Sequence, residues 1–184
     1  MATVKPDEAR ATISTSPHGL EIVIPSKKNI FLILFLAVWI VGWGAGEVAV
    51  PSMFIEGNKD AGALLFTVAW LVAWTIGGAF AIYIWLWNVA GKERITINNL
   101  SLTVKHDLFG YGRGKEYETS QISNLRVSAQ PYNPFNLSTG LQSLGAGGGL
   151  LAFDYGSRTY RFGSGIDEAE ANRIIERIKS QYRL

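Results

Sequence analysis

The stretches IFLILFLAVWIVGWGAGEVAV (residues 30–50) and GALLFTVAWLVAWTIGGAFAIYIWLWNVA (residues 62–90) decide the architecture of this 184-residue chain. Glu47 is the one Asp, Glu, Lys, Arg or His in the first, and the second has none. Roughly 20 apolar residues suffice to cross a hydrocarbon core about 30 Å thick. Each stretch holds twelve Leu, Ile, Val or Phe residues. At roughly 0.3–0.6 kcal/mol apiece near the bilayer centre, these supply about 4–7 kcal/mol of insertion free energy per helix. The sequence therefore predicts a transmembrane α-hairpin over residues 29–90, with helices at about 30–50 and 62–90.

Flanking charge sets the predicted orientation. Lys5, Arg10, Lys27 and Lys28 precede the hairpin, Lys59 alone lies between its helices, and twelve Lys or Arg follow, beginning with Lys92 and Arg94. The bias predicts a two-pass cell-membrane protein with both termini cytoplasmic and residues 51–61 outside. Residues 1–18 read as a polar tail, and no cleavable signal peptide is visible in the first 28 residues. Lys27, Lys28, Lys92 and Arg94 would form a collar at the inner headgroups, beside an aromatic belt of Tyr83, Trp85 and Trp87.

Within the hairpin, Ala69, Ala73, Gly77 and Ala81 recur every four residues, and Gly42 and Gly46 form a GxxxG. Small residues at this spacing let helix backbones approach closely in lipid. They predict helix packing, either of the hairpin on itself or of one stripe on another subunit. All six tryptophans lie here. Trp39, Trp43, Trp70 and Trp74 fall at similar depth below the interface, as plain packing or as a flat aromatic surface for a neighbour. Glu47, three residues from the expected outer end, can reach Lys59 or headgroups. His18 and His106 lie outside both spans, which argues against a histidine-ligated haem or chlorophyll.

After Ala90 the period becomes alternating. Arg94–Ile97 and Leu100–Val104 read as a hairpin around Asn98-Asn99, a pair that tolerates the positive φ of a type I′ turn. Further strands are predicted at 114–118, 122–128, 150–155 and 158–162. Asp167 and Glu170 form a capping box for a C-terminal helix over 167–183, whose Ala171, Ile174, Ile175, Ile178 and Tyr182 share one face. Before the membrane, Leu20–Ile24 alternates up to Pro25. This strand runs toward the bilayer and Arg94–Ile97 runs away, so antiparallel pairing is easy. The hairpin then reads as an insertion between the first strand (19–26) and the second strand of one domain completed by residues 91–184.

That order resembles the bacterial PH-like domains attached to membrane helices. The likeness rests on residues 93–102, on Phe109-Gly-Tyr-Gly-Arg, on Ile122-Ser-Asn-Leu-Arg-Val, and on the ending from Phe153 through Asp167-Glu-Ala-Glu-Ala. It implies a seven-stranded all-β PH-like barrel or sandwich capped by a C-terminal α-helix, without catalytic activity, at the bacterial inner membrane. The long segment Gln130–Gly149 departs from it and reads as an inserted loop.

The remaining motifs narrow the function classes. Gly110–Gly114 and Gly145–Gly149 fit neither GxGxxG before a helix nor a loop followed by GK[ST], so no nucleotide site is supported. The net charge of +2 and the dispersed basic residues argue against nucleic acid. The chain has no cysteine, which removes thiolate metal sites, and no cofactor or metal is expected. Arg113, Lys115, Arg126, Arg158 and Arg161 are candidates for an anionic-lipid site, interleaved with acids. The expected function is a non-catalytic membrane module, an accessory or scaffolding subunit with a protein partner or a second copy in the membrane. The alternative is a regulator that binds anionic headgroups through Lys27, Lys28, Lys92, Arg94, Arg113 and Lys115.

Overall fold

The computed structural model describes residues 10–17, 19–56, 60–128 and 148–182, of 53–56 the backbone alone. Lys59, most of the segment Gln130–Gly149 and residues 1–9 lie outside this set, as do His18 and the last two residues. The chain divides into two units, Lys28–Val89 on one side and Met1–Lys27 with Ala90–Leu184 on the other.

The hairpin unit holds α1 (Ile30–Glu56) and α2 (Ala61–Ala90). Both are long and apolar enough to span a membrane, and no residue in the most apolar stretch of α1 is buried within the protein. Helix α1 runs six residues past the expected end at Val50, through Pro51. Proline removes one backbone donor from a helix, and Ser52 Oγ donates to Ala49 O at 2.8 Å nearby.

Among its described residues the second unit contains two antiparallel sheets, a 3₁₀ turn at Thr119–Gln121 and one α-helix. The first has the order β1 (Thr12–Ser16), β2 (Gly19–Pro25), β3 (Gly91–Ile97), β4 (Ser101–Leu108) and β5 (Gly114–Glu118). The second comprises β6 (Ile122–Val127), β7 (Leu151–Tyr155) and β8 (Arg158–Phe162). Strand β2 pairs with β3 from Leu20↔Ile97 to Pro25↔Lys92, so the hairpin is inserted between adjacent strands of one sheet. No ladder joins the two sheets, and the barrel implied by the resemblance is not closed among the described residues.

Alternation places Leu20, Ile22, Ile24, Ile95, Ile97 and Leu102 on the inner face of the first sheet. They meet Leu125, Leu151, Phe153 and Phe162 of the second. Tyr117 on β5 contacts Phe153, Tyr155 and Tyr160 at ring-centroid distances of 4.8–5.4 Å, an aromatic seam between the sheets. Helix α3 (Glu168–Gln181) closes the core with Ala171, Ile174, Ile175 and Ile178, as the sequence predicts.

Three local expectations change. Neither Asn98 nor Asn99 adopts positive φ. Asn98 Oδ1 instead accepts from Leu100 N and Ser101 N at 2.8 and 2.7 Å, a side-chain turn that needs no left-handed residue. The positive-φ pair is Phe109 (53°) and Gly110 (89°) at the β4–β5 turn. Asp167 caps α3 by accepting from Glu170 N at 2.8 Å, but Glu170 does not complete a capping box. Its Oε1 accepts from Ala11 N at 2.6 Å and fixes the start of β1. Strand β1 itself was unread, because ATISTS is too polar to show a buried face. Arg10 secures it further by donating to Gly165 O and Ser26 O at 2.8 and 3.1 Å.

Phe153, 1% exposed, stands where both sheets meet, and its truncation to Ala should lower unfolding free energy by about 3–5 kcal/mol. Asp167→Ala should cost about 1 kcal/mol through the lost cap. Denaturant unfolding of the detergent-solubilised chain, followed by near-UV circular dichroism, measures both.

Candidate functional site

The helices of the hairpin meet through indoles rather than through the small-residue stripe. Trp43 packs on Gly78, where an added Cβ would lie 1.9 Å from the indole ring. Trp43 Nε1 also donates to Trp74 O at 3.2 Å. Farther along, Trp85 Nε1 donates to Ile33 O at 3.0 Å. A Cβ added at Gly46 would meet the Trp74 ring at 3.7 Å, an ordinary contact, whereas at Gly42 and Gly77 it would meet nothing within 4 Å. The packing glycine is therefore Gly78, one residue off the predicted stripe. Adjacent helix positions lie about 100° apart, so the two glycines serve different faces.

The stripe is left lining a groove. Ala73, Gly77 and Ala81 form its floor, with Phe35, Leu36, Trp39, Trp70 and Trp74 around them and a volume of about 470 Å³. Trp70 and Trp74 stack at 4.8 Å, and Trp39 meets Trp74 at 6.2 Å. Ala69 is exposed beyond the groove. Three of the expected aromatic contacts thus share one wall, while Trp43 and Trp85 bond across the hairpin. Trp87 is 2% exposed and so does not belong to an exposed belt. Glu47 finds a partner that sequence reasoning missed: Thr75 Oγ1 donates to its Oε1 at 2.7 Å. Thr75 is one of the few polar residues in this apolar run, with Thr67 and Asn88.

In the folded unit the basic candidates separate. Arg94 forms ion pairs with Glu21 and with Asp107, the latter at 3.3 Å. Its guanidinium is thus shared between two carboxylates on the outer face of the sheet. Arg126 pairs with Asp154 at 2.8 Å, and Arg161 donates to Ser128 O. Arg113 and Lys115 belong to the first sheet's region, and Arg126, Arg158 and Arg161 to the second sheet. Lys27, Lys28, Lys92, Arg113 and Lys115 are exposed. Among the described residues no three His, Asp or Glu approach as metal ligands would.

The strongest electrostatic feature is Glu93, 2% exposed on β3. Its Oε2 accepts from Gly163 N and Ser164 N, both at 2.9 Å, and from Ser164 Oγ at 3.3 Å. This carboxylate clasps the turn after β8 and so ties the first sheet to the second. Burial raises its pKa above the ordinary 4.5. The Ser164 amide, the charge of His106 opposite it on β4 and the Gly163 amide oppose that rise. Asp154 behaves in the opposite sense. Arg126, Thr159 and Asn124 donate to it and hold its pKa at about 2, below the ordinary 3.8.

Compared with known proteins, the chain matches no family model, no curated protein and no solved structure.

The two carboxylates predict opposite limbs of a stability–pH curve. The contribution of Glu93 is fully present below 4.5 and is lost as pH rises through its raised folded-state pKa. That of Asp154 is present above 3.8 and is lost as pH falls toward about 2. Glu93→Gln should flatten the upper limb and Asp154→Asn the lower, read as denaturation midpoints between about pH 2 and pH 8.

Proposed function

We propose that this chain is a non-catalytic, membrane-anchored module, an accessory or scaffolding subunit that docks a transmembrane helix of a partner protein against its hairpin. The groove over Ala73, Gly77 and Ala81 carries the reading. Helix association in lipid draws on close van der Waals packing, because lipid tails are as apolar as the side chains they would release. A floor of two alanines and a glycine lets a second backbone approach, and the stacked Trp70 and Trp74 add a rigid wall. Within the groove Gly77 has nothing within 4 Å of its Cβ position, whereas the closest helix contact of the hairpin falls on Gly78 and Trp43.

The folded unit supports the same reading as a PH-like module. Without the added edge strand Thr12–Ser16, the described residues hold seven strands before the C-terminal α-helix, the count that the resemblance implies. Fold likeness of this kind does not choose among functions. In the proposed setting the module lies on the cytoplasmic side of a bacterial inner membrane, with the hairpin crossing twice.

Gly77→Leu fills the groove without touching the Trp43–Gly78 contact. Copurification from native membranes in mild detergent should recover a stoichiometric partner or a defined oligomer with the natural chain, and lose it with Gly77→Leu. Val72→Leu, on another exposed face of α2, should retain it. A clean monomer from the natural chain, or a complex indifferent to Gly77→Leu, contradicts the proposal.

A further inference from the structure

The β4–β5 turn presents two aromatic rings to the outside. Leu108 and Tyr111 exchange backbone hydrogen bonds at 2.7 and 3.0 Å around Phe109-Gly110. Phe109 is 65% exposed and Tyr111 83%. A positive φ suits Gly and Asn, whereas it costs other L-residues about 1–2 kcal/mol. Phe109 adopts it at 53° with most of its ring uncovered, so no packing within the unit offsets the strain.

Register fixes which end of the sheet carries this turn. Leu108 pairs with Gly91, the residue directly after the last turn of α2. Gly91 O in turn accepts from Ser26 N at 2.9 Å, just before the chain enters α1. The turn therefore stands beside both points at which the sheet is joined to the hairpin. The other exposed large apolar residue of this unit, Leu100, lies at the opposite end among the described residues.

Charge follows the same axis. Lys92 and Arg113 are exposed near the turn, and Lys105 Nζ donates to Gly110 O at 3.0 Å. The acids of β5, Glu116 and Glu118, pair with Thr103 and Ser101 toward the far end. Arg113 and Lys115 thus lie on the turn side of Glu116 and Glu118, and Asp107, the acid beside the turn, is paired with Arg94.

We propose that the Leu108–Tyr111 turn is an interfacial foot, with Phe109 and Tyr111 seated at the headgroup boundary of the bilayer that holds the hairpin. Lys92, Lys105 and Arg113 meet acidic headgroups there. Aromatic rings concentrate at that boundary, and each nearby Lys or Arg is drawn to an anionic surface by about 1 kcal/mol. The proposal rests on the hairpin spanning the membrane, but not on any protein partner.

The absence of cysteine permits single-site labelling of the full chain in nanodiscs containing acidic lipid. An environment-sensitive fluorophore on Tyr111→Cys should be quenched by lipids spin-labelled near the headgroup about threefold more than one on Leu100→Cys, as shallow insertion requires. Adding Phe109→Asn, which suits the positive φ, should reduce quenching at position 111 without lowering the denaturation midpoint. Val38→Cys, on the exposed face of α1, reports the span itself. Deep quenching at 38 with equal aqueous accessibility at 111 and 100 overturns the foot, as does quenching at 111 that ignores Phe109→Asn. Failure at 38 refutes the membrane span instead.

Discussion

The ladder between β2 and β3 is the constraint on which the rest depends. These neighbours, paired over six positions from Leu20↔Ile97 to Pro25↔Lys92, are separated in sequence by the whole hairpin. The junctions are short: Ser26 N donates to Gly91 O, and α2 becomes β3 without an intervening residue. Such non-local pairing bears a loop-closure cost, which the two antiparallel helices reduce by bringing their ends together. The inserted segment is therefore part of what closes the sheet.

From that ladder the core assembles by contacts that cross between layers. Glu93 lies one residue from Arg94 but on the opposite face, so one strand sends a carboxylate inward to the Gly163–Ser164 amides and a guanidinium outward to Glu21 and Asp107. A buried carboxylate is tolerable because three donors converge on one oxygen. Glu170 repeats the device at Ala11. The unit is held by a hydrophobic core with a few charged clasps at its seams.

Much of this was legible in the sequence, and the failures share a physical cause. The length of the apolar runs revealed both helices of the hairpin, and hydrophobic period revealed the strands from β2 onward and the buried face of α3, because burial imposes that period directly. The β2–β3 pairing followed from chain direction alone. What period cannot show is which polar group a side chain will choose. Asn98 made a side-chain turn, and the left-handed pair fell on Phe109-Gly110, an unlikely composition for it. The ion pairs of Arg94 are invisible in the sequence because Glu21 and Asp107 lie on other strands. The ATISTS strand is held by Arg10 and Ala11, whose partners Gly165 and Glu170 are more than 150 residues away.

The small-residue stripe shows the same limit at finer scale. Spacing located a face of α2 that permits close approach, but Gly77 and Gly78 are adjacent, and spacing alone cannot say which one meets α1. The indole of Trp43 decides it: a ring that bonds to Trp74 O must lie against Gly78, since any side chain there would collide with it. Once that contact is made, rotation of α2 is fixed, and Ala73, Gly77 and Ala81 are carried to the side where Trp39, Trp70 and Trp74 form a wall. Lipid chains can cover such a groove but lose conformational freedom in following a rigid ledge. The Trp43–Gly78 contact thus decides which face of α2 the hairpin leaves as a groove.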